Sequence, residues 1–159
     1  KNILLFFILN LFVGFSTYAQ SCGFSFSSSN FVAEIDNNVQ SIAHSLRVRR
    51  SSSSNNCRNV RAYFTRGRAN SYSRHAERGN LTVPYNLYKE SALNNVLKDY
   101  GDANGNEYLT FSLADRNTTY GFDFFVKVID LDSVFSNGPG YYNDLIEVKL
   151  YSERSNGGL

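Results

Sequence analysis

The segment LTVPYNLY, residues 81–88, shows the pattern that decides the fold. Its apolar and aromatic side chains at Leu81, Val83, Tyr85 and Leu87 alternate with Thr, Pro, Asn and Tyr. An alternation with period two places the two sets of side chains on opposite faces of a β-strand. The segment therefore predicts a strand with one face toward a core and the other toward water.

The same alternation recurs along the chain, with turn-forming residues, chiefly Gly and Asn, between the runs. The other runs lie at residues 24–26, 46–48, 60–64, 109–113, 122–128 and 146–150. Seven or so short strands separated by such turns predict an all-β fold, an antiparallel β-sandwich. Residues 90–97 lack the alternation, and we interpret them as an elaborated loop.

Composition supports one packed domain. The chain has 159 residues, with 13 Phe, 11 Tyr, two Pro and no Trp. Aromatic residues suit strands and fill cores, whereas disordered chains have few of them. The length fits a single domain.

The N-terminal segment has the features of a secretory signal peptide. Lys1 precedes an apolar run over residues 3–13, and the small residues Thr17 and Ala19 occupy positions −3 and −1 of a cleavage site before Gln20. The run is too short for a membrane-spanning helix, which needs about 20 apolar residues. We therefore expect a secreted protein that passes through the periplasm.

Cleavage at that site would divide the chain into a signal peptide, residues 1–19, and an exported domain, residues 20–159. Without Lys1, 15 basic and 14 acidic side chains remain. This near-neutral balance gives no electrostatic argument for a nucleic-acid partner.

Two cysteines, Cys22 and Cys57, lie in the exported part. An even pair of cysteines in an oxidising compartment predicts a disulfide, with two free thiols as the alternative. The bond would close a loop of roughly 35 residues, which the chain-entropy treatment values at about 3–4 kcal/mol.

No pattern marks a catalytic, cofactor or metal site. The chain has only two histidines, His44 and His75, and no nucleophile-elbow motif. Asp99, Asp102 and Glu107 fall in a Gly- and Asn-rich segment, but their spacing does not fit a calcium-binding loop. We expect a turn there, and no enzyme.

Basic residues concentrate in the middle of the chain, at Arg58, Arg61, Arg66, Arg68, Arg74 and Arg78. Two interpretations remain open for an exported protein. One is a solvated strand face and loop, and the other is a patch for anionic surface polymers.

Several short motifs resemble a known family. They are Cys22, Cys57, Gly67-Arg68-Ala69-Asn70, Leu81 to Lys89, Val96 to Asp99, Gly101, and the final Gly140 to Tyr151. Their order is similar to that of the spore coat protein U domain family, the secreted pilins of archaic, Csu-like chaperone–usher systems. The most specific pieces are Tyr85-Asn86-Leu87-Tyr88 and the terminal Gly-x-Tyr-x-Asp strand. The likeness covers roughly Cys22 to Tyr151.

The resemblance implies an immunoglobulin-like, pilin-like sandwich that lacks its last strand. A periplasmic chaperone would fill the resulting groove, and an outer-membrane usher would exchange it for the N-terminal strand of a neighbouring pilin subunit. The family offers no catalytic residues. The expected edges of the groove are the first strand and the last, with Phe24, Phe26, Ile146, Val148 and Leu150.

One departure from the family pattern concerns the donor strand. Cleavage before Gln20 would leave only Gln20 and Ser21 ahead of Cys22, so the subunit could accept a strand but not give one. This predicts a place at the tip of a surface fibre or pilus, facing a host or abiotic surface. The candidate surface contacts are Tyr141, Tyr142 and Phe135.

Two other functions compete with the fibre subunit. The family name carries an association with spore coats, so a coat or envelope structural role is one alternative. A small secreted hydrolase on a β-sandwich is the other, because sandwiches host many functions.

Overall fold

The computed structural model describes residues 5–11, 22–26, 30–35, 41–138 and 140–152. The predicted cleavage site at Gln20 lies outside the described residues. The strands are β1 (Leu5–Leu11), β2 (Phe24–Phe26), β3 (Asn30–Ile35), β4 (Ser41–Arg50), β5 (Asn59–Phe64), β6 (Arg74–Arg78), β7 (Leu81–Tyr88), β8 (Leu109–Ser112), β9 (Thr119–Val128), β10 (Tyr141–Ile146) and β11 (Val148–Ser152). A 3-10 turn (Asn55–Cys57) and a short helix, α1 (Leu131–Asn137), complete the described elements.

The strands form two sheets. The large sheet has the order β2-β4-β9-β7-β6-β10-β1-β3, and the small sheet has the order β11-β5-β8. Every described ladder is antiparallel except the parallel pairing of β1 with β10. Only Glu147 separates β10 from β11, so the chain passes there from the large sheet to the small one.

One hydrophobic core lies between the sheets. The Phe64 ring of the small sheet lies 5.4 Å from that of Phe124 in the large sheet. Phe111 stacks on Phe122 with ring centroids 3.9 Å apart. The inward positions of β7, predicted from alternation, are fully buried at Val83, Tyr85 and Leu87. The predicted all-β fold is therefore confirmed.

The disulfide between Cys22 and Cys57 is also confirmed, with Cα atoms 5.5 Å apart. It fastens the start of β2 beside β5. Two backbone hydrogen bonds support the same corner, from Ser51 N to Gly23 O and from Ser52 N to Cys22 O. An edge strand of three residues makes few ladder bonds, so this covalent link holds it in place.

The segment 90–97 is irregular, as expected. The Glu90 carboxylate accepts hydrogen bonds from the backbone of Asn94 and Asn95, and Leu97 N bonds to Leu87 O. Helix α1 was not predicted from the sequence. Within the described ranges, no helix is long and apolar enough to cross a membrane.

Candidate functional site

Strand β10 lies between two neighbours that hold it to very different extents. Its register with β6 comprises one residue pair, Asn143 with Glu77. Its register with β1 comprises six pairs, from Phe6 with Tyr141 to Leu11 with Ile146. The main ladder of β10 is therefore made with β1.

Strand β1 also holds β3 in the large sheet. Six antiparallel pairs join them, from Leu5 with Ile35 to Asn10 with Asn30. Because β3 is the last strand in the sheet order, β1 is its sheet neighbour. Residues 5–11 of the predicted signal segment thus lie between β10 and β3.

The two faces of β10 differ. Tyr142, Asp144 and Ile146 are buried, whereas Tyr141 and Leu145 are 56% and 40% exposed. The Tyr142 hydroxyl donates to Gly138 O. The prediction of Tyr142 as a surface contact is therefore wrong, because alternation in the strand turns this ring into the core.

The other two candidate surface contacts are Tyr141 and Phe135. Tyr141 is exposed and remains available to solvent. Phe135 lies in helix α1, and its side chain lies outside the described part of the structure.

The predicted groove residues lie on three strands. Phe24 and Phe26 belong to β2, at one edge of the large sheet, and Leu150 belongs to β11, at one edge of the small sheet. All three are partly buried and pack against the shared core cluster. Ile146 and Val148 are fully buried at the β10–β11 junction.

The buried carboxylate of Asp144 holds β10 to the rest of the domain from the core side of the sheet. Asp144 Oδ2 accepts from the Tyr85 hydroxyl at 2.6 Å, and Oδ1 accepts from Arg68 N at 2.9 Å. Burial, followed by the nearby Asp144 charge, raises the pKa of Tyr85 well above its usual value, so the phenol stays protonated and donates. Gly67 leaves room for this contact, since a Cβ there would clash with Asp144 Oδ2.

Arg74 is a second buried polar residue, and its burial was not predicted from the sequence. Its guanidinium donates to the carbonyls of Phe64, Thr65 and Leu97 and to Asn86 Oδ1. Burial lowers its pKa to about 10. Its assignment to a solvated basic surface is wrong. Arg74 lies two residues before the buried Ala76 in β6, so both side chains point to the inward face of the sheet.

The acidic segment 99–107 forms ion pairs with basic side chains. The pairs are Asp99 with Lys149 at 2.8 Å, Asp102 with Arg66 at 2.9 Å and Glu107 with Lys98 at 2.6 Å. Across the described residues, no group of three or more His, Cys, Asp or Glu side chains is arranged to hold a metal ion.

The two histidines lie on separate strands, β4 and β6. The His44 ring lies 5.8 Å from Phe124, and burial lowers its pKa. His75 Nε2 lies 3.2 Å from Glu77 Oε1, in a partly exposed pair. The structure does not bring the two rings into a common site.

Comparison of the sequence with known proteins adds no relative to these observations. No family model matches the chain, and no curated protein matches it in sequence.

Proposed function

We propose that this chain is a secreted subunit of a bacterial surface fibre, completed by a β-strand from another protein. One observation carries the proposal. The principal ladder of β10 is made with β1, and β1 is the apolar segment that carries the features of a cleavable export signal.

Loss of β1 on export would change the sheet in a defined way. Strand β10 would lose six residue pairs and keep one with β6, and β3 would lose its six pairs with β1. Unpaired backbone N–H and C=O groups along such an edge favour pairing with another chain. A strand from outside restores the ladder by β-strand addition.

Side chains supply the second part of the binding energy. A donor strand with alternating apolar residues places every second one toward the core. Burying each of these is worth roughly 1.5–3 kcal/mol, so a strand of several such residues binds tightly. Ile146, which pairs with Leu11 of β1, is the proposed partner of that strand on β10, whereas Phe24, Phe26 and Leu150 lie at other sheet edges.

The proposed partners follow from this incomplete sheet. A periplasmic chaperone supplies the strand first, an outer-membrane usher carries out the exchange, and a neighbouring pilin subunit supplies the final strand. In this proposal the domain is an immunoglobulin-like pilin at the cell surface. The proposed position is the fibre tip, since cleavage before Gln20 leaves two residues to donate.

Co-expression tests the proposal. The full chain is produced in the periplasm with and without a periplasmic chaperone of a chaperone–usher system, and the yield of soluble, oxidised protein is measured. We expect a much lower yield of soluble protein without the chaperone than as the chaperone complex. Equal yields with and without the chaperone would contradict the strand-accepting role.

A further inference from the structure

Four tyrosines form a continuous cluster on the outer face of the small sheet, here called the tyrosine face: Tyr63, Tyr100, Tyr108 and Tyr151. The Tyr63 ring lies 5.4, 5.1 and 5.4 Å from the rings of Tyr100, Tyr108 and Tyr151. In β5, Tyr63 alternates with the core residues Ala62 and Phe64, so this face is the one turned away from the core.

The tyrosine face is held rigidly before any ligand arrives. Tyr63 is only 3% exposed and forms its base, whereas Tyr100 is 47% exposed. Tyr100 stacks on Tyr151 with centroids 4.5 Å apart. Rings fixed by one another lose little conformational freedom on binding.

The loop that carries Tyr100 is fixed by polar contacts. Both oxygens of Asp99 accept hydrogen bonds from Lys149 Nζ, at 3.0 and 2.8 Å. Asp99 N donates to the Tyr72 hydroxyl at 2.7 Å. The residue next to Tyr100 is therefore tied both to β11 and to the loop before β6.

Positive charge borders the tyrosine face. Arg61 Cζ lies 5.0 Å from the centroid of the Tyr108 ring, and Lys89 Nζ lies 5.9 Å from it. Lys89 makes no ion pair with any residue in the described ranges. Two carboxylates lie near Tyr151: Asp99, which is paired with Lys149, and Glu147. Arg61 and Lys89 make the part of the face beside Tyr108 positive, and this part complements an anion.

We propose that the tyrosine face binds an acidic polysaccharide, with a sugar ring against Tyr100, the most exposed ring of the four, and its carboxylate near Arg61 and Lys89. Tyrosine rings offer an apolar surface for the C–H face of a sugar and a hydroxyl for its oxygens. Burial raises the pKa of both Tyr63 and Tyr151, so these hydroxyls remain donors at neutral pH.

The composition of the face favours a polysaccharide over a protein partner. The core of a protein interface is depleted of charged residues, although Tyr and Arg are enriched in it. Here the exposed aliphatic residues Leu81, Ile129 and Leu145 belong to strands or strand ends of the large sheet. Around Tyr100 lie the hydroxyl-bearing rings of Tyr63 and Tyr151 and the charged Asp99 side chain.

This inference does not rest on the strand-accepting role. None of the contacts that build the tyrosine face involves β1, β3 or β10. Failure of sugar binding would leave the fibre proposal intact. Failure of the strand-accepting role would likewise leave the sugar-binding proposal intact.

Intrinsic fluorescence provides the test, because the chain has no Trp and its emission reports tyrosines directly. The exported protein is titrated with an oligogalacturonide and with a neutral oligosaccharide of the same length. We expect saturable binding that favours the acidic sugar and weakens with salt.

Variants separate the contributions of ring and charge. Tyr100→Ala should weaken binding about tenfold, as loss of one stacking contact does. Tyr100→Phe should retain binding of both sugars, and the double variant Arg61→Gln, Lys89→Gln should abolish the preference for the acidic sugar. Tyr141→Ala, an exposed tyrosine on β10, is the matched control and should bind normally.

Three results would overturn the proposal. One is unchanged affinity in Tyr100→Ala, with circular dichroism showing the native fold. Another is equal affinity for the acidic and neutral sugars. The third is self-association that Tyr100→Ala abolishes, without sugar binding, because this would make the face a contact between copies of the chain.

Discussion

The Tyr85 hydroxyl donates a 2.6 Å hydrogen bond to Asp144 Oδ2 in the core, between two residues that are 0% and 1% exposed. Tyr85 belongs to β7 and Asp144 to β10, and β6 separates these strands in the large sheet. The bond therefore joins β10 to the body of the sheet from its inner face. Since β10 has only one register pair with β6, this contact is a main support that does not depend on β1.

Tyr85→Phe should destabilise the protein, because it leaves a buried carboxylate oxygen without its donor. Hydrogen bonds to charged groups are worth about 1.5–3 kcal/mol, and we expect a loss of that size. Urea unfolding followed by circular dichroism measures it. Tyr88→Phe, on the same strand with a partly exposed ring, is the control and should change stability by less than about 0.5 kcal/mol. Equal losses in the two variants would refute the role of this bond.

Gly67→Ala should be more damaging than Gly79→Ala. Both glycines have positive φ, +71° and +61°, so both variants incur backbone strain of roughly 1–2 kcal/mol. At Gly67 an added Cβ would also meet Asp144 Oδ2, whereas at Gly79 it meets nothing within 4 Å. We expect an additional loss of about 1–3 kcal/mol at Gly67 from overpacking. Thermal and urea unfolding of the two variants measure the difference, and identical stabilities would contradict the close approach.

Removing the disulfide should destabilise the domain by about 3–4 kcal/mol, because it releases a loop of 35 residues. The Cys22→Ser, Cys57→Ser variant is compared with the oxidised protein by urea unfolding. Hydrogen exchange should show the largest loss of protection at β2, which the bond fastens beside β5. A loss spread evenly over both sheets would argue against this local role.

The free energy of unfolding should decrease in acid, because the folded state stabilises the charged form of two carboxylates. The Tyr72 hydroxyl lowers the pKa of Asp102, and Lys98 lowers the pKa of Glu107. A depressed pKa contributes stability that is complete above the unfolded value and is lost as pH falls through the folded value. The free energy of unfolding should therefore decrease as pH falls below about 4.

The matched variant for this pH dependence is Asp102→Asn, Glu107→Gln. It should be less stable at pH 7, and its unfolding free energy should decline less steeply in acid. Urea unfolding at a series of pH values makes the comparison. Parallel curves for the two proteins would show that other groups control acid stability.

Sequence patterns predicted those features that depend on local periodicity. Alternation at residues 81–88 indicates the strand and its buried face, and the cysteine pair indicates the disulfide. Register between distant strands leaves no such mark, so the pairing of β1 with β10 could not be derived from spacing.

The buried polar residues escaped prediction for a different reason. Because Arg74 is charged, the sequence suggested a surface position, although Arg74 lies on the same face of β6 as the buried Ala76. Only the fold brings the carbonyls of Phe64, Thr65 and Leu97 around its guanidinium. The tyrosine face was missed because its four rings come from β5, β11 and the segment before β8, which are far apart in sequence.

Hydrogen exchange at Tyr141–Ile146 tests the strand-accepting role most directly. Two oxidised forms are compared, the full chain that retains residues 5–11 and the exported chain that begins at Gln20. The β9 amides, paired with β4 through nine residues, provide the internal control. We predict slow exchange at β10 in the first form, fast exchange in the second, and equal exchange at β9. Equally slow exchange at β10 in both forms would show that the sheet needs no strand from outside.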